Sequence, residues 1–309
     1  MPFFSIITPT YNRAKFISKA LESVLKQTFL DFEYIIIDDG STDNTKEIIK
    51  TFSDSRIRYI YQENQERSVA RNHGINLAKG QYICFLDSDD YYLENHLKIL
   101  RNTIIKTSEK LGLYYTQSYM YNVHSKKTTP ITQIKDKNQI NFLLNNFLFI
   151  NSICVSSTIM KQEEYHFPIA YNSWEDLFVW FQVAAVFPIY FINKRTTVIC
   201  VHNSNSSSIF TLKDINYTVN RFNCIDVLFT KLSDLLTESQ KLKYINNDAH
   251  NIICILINDN QIEKSIAIWF YILRKYFNYT SIHYYIKIAI LIILKRDFNS
   301  IYNFLKRKK

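Results

Sequence analysis

Glycine is scarce in this chain, with four in 309 residues. A Gly-rich dinucleotide fingerprint or P-loop needs several glycines close together, so both phosphate cradles are excluded. Cysteine is thin as well: Cys84, Cys154, Cys200, Cys224 and Cys254 are scattered, odd in number and never in CxxC spacing. That excludes a disulfide scaffold and structural zinc, and points to a reducing compartment. No apolar run reaches the length of a membrane-spanning helix, and no basic segment followed by an apolar one opens the chain as a signal peptide would. The expected location is the cytoplasm. Acidic residues are in deficit, 28 against 37 Lys and Arg, giving a net charge of +9. Such a balance implies an anionic partner: phosphate, nucleic acid or an acidic membrane face.

Against these absences one stretch stands out, Tyr82-Ile83-Cys84-Phe85-Leu86-Asp87-Ser88-Asp89-Asp90. A short apolar run with the residue types of a fully buried parallel strand ends in three carboxylates. In open α/β sheets, ligands bind beyond the carboxyl ends of the strands. Clustered acids repel unless a cation or hydrogen-bond donors neutralise them. Oxygen ligands of this kind suit Mg²⁺ or Mn²⁺ held jointly by carboxylates and substrate phosphates. Alone, the cluster reads first as an Asx-rich turn capping the next helix, and the rest of the chain is what favours a ligand site.

The surrounding chain alternates strand and helix. Phe3 to Thr8 reads as a strand closed by Pro9, and Thr10 to Arg13 as a polar loop. Ile17, Ala20, Leu21, Val24 and Leu25 repeat at helical spacing up to about Gln27. A second strand, Phe32 to Ile37, runs into Asp38-Asp39-Gly40-Ser41-Thr42-Asp43, again acids and turn formers at a strand end. A short helix to about Phe52, a strand Ile57 to Tyr61 and a helix Ser68 to Ala78 precede the Tyr82 strand. Right-handed crossovers then imply a parallel sheet with helices on both faces. Further on, a helix over Glu94 to Lys110, a Tyr-rich strand Leu113 to Tyr121, a polar loop Lys126 to Asn138, a helix Gln139 to Phe149 and a strand Ile153 to Met160 are expected. Trp174-Glu175-Asp176 opens a helix continuing to Phe187, and a strand Thr197 to Val201 ends at His202.

The strings SIITPTYNR, YIIIDDGSTDNT, ARNHGINLAKGQYICFLDSDD and WED resemble the motifs of family 2 glycosyltransferases, over roughly residues 1 to 205. The resemblance implies a GT-A fold, a Rossmann-like, mostly parallel sheet flanked by helices. It also implies an inverting enzyme of the bacterial cell-surface glycan type, which takes sugar from a nucleoside diphosphate, UDP by default, and needs Mn²⁺ or Mg²⁺. The donor site would draw on Pro9, Tyr11, Asn12, Asp38, Asp39, Arg71, Asp87 and Ser88. Tyr11 has the stacking face a nucleobase needs. Asp39 matches the family's acceptor for the uracil ring, and Asp38 either reaches ribose or holds the loop. Asp43 reads as a helix cap. Arg71 has two readings, a diphosphate contact or an ion pair with Asp39 or Asp87.

By the same resemblance Asp89 ligates the metal, while Asp87 reaches ribose or a metal-bound water and Asp90 orients the turn. Asp176 matches the family's general base in a helix-opening ED pair, although acids in a first helical turn are also explained by the helix dipole. His202, in a His-x-x-Ser tail, reads either as a metal ligand or as a surface cap.

The domain division expected is a glycosyltransferase domain over 1–210, with nucleotide-sugar binding over about 1–110 and the acceptor side and base over about 111–210, followed by a helical region over 211–309. From Ser265 to Leu305 aromatic and aliphatic residues are punctuated by Lys and Arg, and Lys295-Arg296 and Lys306 to Lys309 add charge. This suits ordinary helix packing or an interfacial helix on the cytoplasmic face of the inner membrane, with a glycan or lipid-linked acceptor and no nucleic acid as partners. Two other classes compete: a nucleotidyltransferase that makes the sugar nucleotide, and a non-catalytic sugar-nucleotide-binding module.

Overall fold

The computed structural model describes residues 1–133, 136–146, 148–171, 173–202, 215–258 and 261–276. The chain divides into two compact units, Met1–His202 and Asn203–Lys309. In the first, strands β1 (Phe4–Thr10), β2 (Phe32–Asp39), β3 (Ile57–Gln62) and β4 (Tyr82–Phe85) alternate with helices α1 (Ile17–Leu25), α2 (Thr45–Lys50) and α3 (Glu66–Leu77). A two-residue strand β5 (Tyr91–Tyr92), helix α4 (His96–Lys106), the long strand β6 (Leu113–Asn122) and β7 (Lys127–Pro130) follow. Helix α5 (Gln139–Asn145), β8 (Ile153–Ser156), the short α6 (Ser157–Met160), α7 (Glu175–Val186) and β9 (Ile189–Val201) complete the unit.

These strands form one sheet in the order β3-β2-β1-β4-β8-β6-β9-β5, with β7 paired to β6. Pairing is parallel across β3-β2-β1-β4 and again between β6 and β9, so six of the nine strands run one way. Every residue of β1 and β2 is buried, as expected of strands covered on both faces. Phe4, Ile6, Tyr34 and Ile36 join Leu21, Val24, Ile49, Leu97 and Leu100 in one core beneath α1, α2 and α4. The alternate residue Ile7 meets α3: a Cβ added to Gly74 would lie 2.5 Å from it. Only a residue without a side chain allows α3 that approach. Phe85 packs on Phe167 and on Trp180 of α7.

Several local expectations are revised. Pro9 lies inside β1, not at its close: β4 pairs only Phe4–Ile7, so Pro9 has a ladder partner, Ile37, on one side alone and its missing N–H is tolerated. The expected loop after Lys126 contains β7, an exposed strand held to β6 by backbone pairing that leaves no hydrophobic alternation to read. The strand expected to reach Met160 stops at Ser156, whose side chain accepts from Thr158 N and turns the chain into α6. The last strand begins at Ile189, with register shifts around Gln117 where Lys194 and Arg195 interrupt its apolar pattern.

In the second unit, residues 215–276 supply helices α8 (Ile215–Lys231), α9 (Glu238–Asn258) and α10 (Ile262–Tyr276). Phe222, Ile225, Leu228, Ile245, Ile252, Ile268 and Ile272 are buried. Asp226 of α8 ties the three together, meeting Lys241 of α9 at 3.1 Å, and Lys275 at 2.5 Å and the Tyr276 hydroxyl at 2.8 Å, both of α10. Among the described residues no helix is long and apolar enough to cross a membrane. The basic stretch beyond Tyr276 lies outside the described residues.

Candidate active site

The C-terminal ends of β1, β2, β3 and β4 converge, and each delivers a loop. The loop after β1 carries Tyr11, 46% exposed. Asn12 follows in the left-handed region at φ 51°, a conformation that Asn tolerates better than most residues. Its side-chain oxygen accepts from Thr42 N at 2.8 Å, while its own N–H donates to Ser41 Oγ at 2.9 Å. Arg13 N donates to Thr45 Oγ1, and Ala14 N to Asp43 Oδ2. The β1 and β2 loops are thereby stitched into one wall. Asp43 also accepts from Thr45 N, but the N-cap of α2 is Asn44, so Asp43 fastens the loop ahead of the helix and is not its cap.

Asp38 and Asp39 at the end of β2 divide the work. Asp38 is fully buried, with Oδ1 accepting from Ser41 N at 2.9 Å and Oδ2 from the Tyr59 hydroxyl at 2.7 Å. Both oxygens are engaged in holding the loop. Asp39 Oδ1 accepts from Gln62 Nε2 and Gln65 N at 2.6 and 3.0 Å. Gly40, at φ 84°, turns the chain away, and an added Cβ would meet Asn64 N at 2.8 Å.

The acidic turn after β4 is held from several sides. Asp87 N donates to Asn151 Oδ1, and Asp87 Oδ1 accepts from Arg71 Nη2 at 2.9 Å. Ser88 is buried within the turn. Asp89 Oδ2 lies 3.2 Å from His202 Nε2 and 3.8 Å from Arg13 Nε. The His202 ring stacks on Phe16 at 4.2 Å, which fixes its plane. Asp90 faces inward, accepting from Cys200 N at 2.6 Å and Asn151 Nδ2 at 2.5 Å. Burial first, then the charges of Asp89 and Asp87, push the Asp90 carboxyl well above its ordinary range. Asp90 therefore braces the turn, the role expected of it.

Arg71 joins this turn to α7. Its guanidinium is 2% exposed and spans Asp87 and, through Nη1 at 2.8 Å, Glu175 Oε1. The ion pair expected of Arg71 is made with Asp87 and not with Asp39. Glu175 also meets Arg67 Nε at 3.1 Å. Asp176, the next residue, is partly exposed, and its Oδ1 accepts from Leu177 N at 2.8 Å. Burial of its carboxyl, then the Glu175 charge, push it up to about 7 against the pull of Arg71 and the helix amide. The helix dipole alone would have kept it low.

The Asp89 carboxylate, itself paired with Arg13, and the His202 imidazole converge at one edge of the turn. Both oxygens of Asp90 and Oδ1 of Asp87 are taken by protein partners, and among the described residues no group of three or more His, Cys, Asp or Glu could enclose an ion. This set fits a divalent ion that takes its remaining ligands from phosphate oxygens and water; a caged ion it does not fit. A separate cavity of about 580 Å³, lined by Lys19, Glu22, Tyr91, Leu93, Ile99 and Thr196 among others, contains none of these acids.

Sequence reasoning did not pick out Arg13, Arg67, Gln62 or Asn151. Arg67 had a readable signal, its i,i+4 spacing from Arg71 on one helix face. Asn151 had none, since its partners lie more than sixty residues away in the chain.

Comparison with known proteins gives consistent results. The model of the family described as Glycosyl transferase family 2 matches residues 5–161. An uncharacterized glycosyltransferase of Rickettsia felis is 32% identical over 210 residues, covering 66% of this chain and 34% of its own length. The UDP-Glc:alpha-D-GlcNAc-diphosphoundecaprenol beta-1,3-glucosyltransferase WfgD of Escherichia coli is 41% identical over 105 residues, 34% of this chain and 42% of that protein. The chain spans about a third of the length of the first curated relatives it matches. Among solved structures, S. aureus TarS 1-349 in complex with UDP-GlcNAc superposes with a TM-score of 0.63 at 21% identity, covering 79% of this chain and 70% of that one. At that identity the likeness is one of fold.

Proposed function

The chain belongs to glycosyl transferase family 2 and has the GT-A fold, and from that premise we propose that it is an inverting, metal-dependent glycosyltransferase. It moves a sugar from a nucleoside diphosphate, UDP by preference, to a hydroxyl of a glycan or lipid-linked acceptor in surface polysaccharide synthesis, on the cytoplasmic side of the membrane. The observation that carries this reading is the convergence of two carboxyl sites on the turn after β4. Asp89 stands beside His202, and Asp176, with its carboxyl pushed up to about 7, is tied to the same turn through Glu175, Arg71 and Asp87. A carboxyl raised to about 7 is poised to take a proton near neutral pH. The UDP preference draws support from two relatives, one a UDP-Glc enzyme and one a structure holding UDP-GlcNAc.

In this proposal Tyr11, exposed at the mouth of the β1 loop, stacks on the nucleobase. Asp39, its Oδ1 held by Gln62 and Gln65, offers Oδ2 to a ring N–H. Pro9 and Asn12 shape the wall, and Asp38 acts by fixing the loop. Asp87 and Ser88 present the turn to the ribose and diphosphate. Asp89 and His202 hold the divalent ion. When bound, the ion supplies Lewis-acid neutralisation of charge on the departing diphosphate. Asp176 takes the proton of the acceptor hydroxyl as its oxygen bonds to the anomeric carbon and the bond to the diphosphate breaks on the opposite face. One displacement inverts the anomeric configuration.

The test is incubation of the full chain with a donor panel and Mn²⁺. Nucleoside diphosphate release supports the proposal. In a parallel incubation with nucleoside triphosphates and sugar 1-phosphates, pyrophosphate release marks a nucleotidyltransferase instead, and binding of donor without turnover in either incubation marks a sugar-nucleotide-binding module; either rejects it.

A further inference from the structure

We propose that Glu175 is a positioning residue for the base, clamped by Arg67 and Arg71 so that its negative charge is held beside Asp176 and the start of α7 is locked to the turn bearing Asp87. The inference rests on the reading of Asp176 as the base.

The geometry is costly for a plain helix start. Glu175 is 3% exposed and Arg71 2%. Burying a carboxylate and a guanidinium is tolerated only when they are well paired. Here one Glu175 oxygen, Oε1, takes Arg71 Nη1 at 2.8 Å and Arg67 Nε at 3.1 Å, while Arg71 Nη2 reaches Asp87 at 2.9 Å. A serine or threonine cap would satisfy a helix terminus without any buried ion. Trp174, which leads into the helix, sits in the left-handed region at φ 67°, a strained conformation for a bulky residue.

Charge balance shows what the cluster accomplishes. Arg67 and Arg71 are matched by Asp87 and Glu175, so Asp176 is the one carboxyl left over. Burial works to raise Glu175, but Arg67 and Arg71 outweigh it and hold Glu175 below the usual carboxylate range. A fixed anion thus adjoins Asp176, and after burial it is the largest influence raising that carboxyl. The other charged groups acting on Asp176 are Arg71 of α3 and Asp87 of the β4 turn, with Arg67 of α3 on the adjoining Glu175. Neither α5 nor β6, which also pack on α7, carries a charged residue. The turn Glu163–Tyr165, with Glu164 and the neighbouring His166, meets the far end of the helix, where Tyr165 packs on Phe187. The geometry therefore makes Asp176 a stronger base than an ordinary surface aspartate, through a neighbour that touches no substrate.

The test titrates Asp176 by carbon-13 NMR of carboxyl-labelled aspartate in the full chain, with the resonance assigned by its loss in Asp176→Asn. Glu175→Gln keeps the shape and removes the charge. The Asp176 midpoint should fall by about one pH unit, and the acid limb of the pH–rate profile should move with it. The alkaline plateau of kcat should drop and the donor KM stay put. Arg67→Gln should move the midpoint upward. An unmoved midpoint in Glu175→Gln overturns the proposal, as does a shift of the same sign in both variants, the mark of mere loosening. If Glu175→Gln does not fold, Arg67→Gln, whose side chain is 28% exposed, decides alone: an upward shift supports the proposal and none overturns it. If the wild-type chain turns over no sugar nucleotide while the midpoints shift as stated, the functional reading fails and the coupling stands.

Discussion

Replacing Asp176 by Asn keeps the shape of the side chain and removes the base. Its Oδ1 accepts from Leu177 N at 2.8 Å, and an amide oxygen can still accept that bond, so the start of α7 is preserved. Loss of a general base typically lowers transfer by about 10²–10⁴-fold. A second consequence follows from linkage. The Asp176 carboxyl is displaced from 3.8 to about 7, so between those values the folded chain binds more protons than the unfolded chain. Stability contributed by this site is therefore present at low pH and lost as pH rises toward 7. Carried over in full the displacement is worth about 4 kcal/mol; the side chain is partly exposed and solvent screening reduces this to about 1–2 kcal/mol. The Asn variant should accordingly be more stable than wild type by about that amount at pH 8, and closely matched to it near pH 4. The assay pairs denaturant unfolding at both pH values with acceptor-dependent release of nucleoside diphosphate and calorimetric donor affinity. Gain of stability with loss of transfer is the signature of a strained catalytic group. Unchanged transfer, or a donor affinity that collapses together with transfer, would refute the assignment.

Three further outcomes are expected. Asp89→Ala should abolish the enhancement of UDP binding by Mn²⁺ and nearly all turnover, and full wild-type activity in excess EDTA would contradict the metal role of Asp89 and His202. Asp39→Ala should weaken UDP binding measured by calorimetry while turnover at saturating donor changes less, because uniform binding chiefly sets KM; lost turnover at unchanged affinity would give the acid another task. Gly74→Ala places a Cβ 2.5 Å from Ile7 and should cost about 1–3 kcal/mol in urea unfolding, whereas a neutral result would mean that α3 can slide away from β1.

The nucleotide-side half of the molecule was legible because its signals are local. The apolar runs of β1, β2 and β4 each end in polar loops or acids within a few residues, and the helices between them keep the 3.6-residue period. Asp38, Asp39, Asp87 and Asp89 could be placed at strand ends for the same reason. What stayed illegible is long-range. The Arg71 to Glu175 bond spans 104 residues, Asp90 to Cys200 N 110, and Asp89 to His202 113. No periodicity connects such pairs. Spacing does not tell which acid Arg71 pairs with, and Asp176 could not be read as a raised carboxyl until the buried Glu175 was beside it. β5 and β7 were missed because two- and four-residue strands held by backbone pairing carry no alternation.

The account turns on a single displacement at the anomeric carbon, and the stereochemistry of the product tests that directly. The full chain is incubated with α-linked UDP-sugars, Mn²⁺ and an acceptor panel, and the anomeric proton coupling of the product is read by NMR. The expected result is a β-linked product formed together with free UDP. An α-linked product would contradict it.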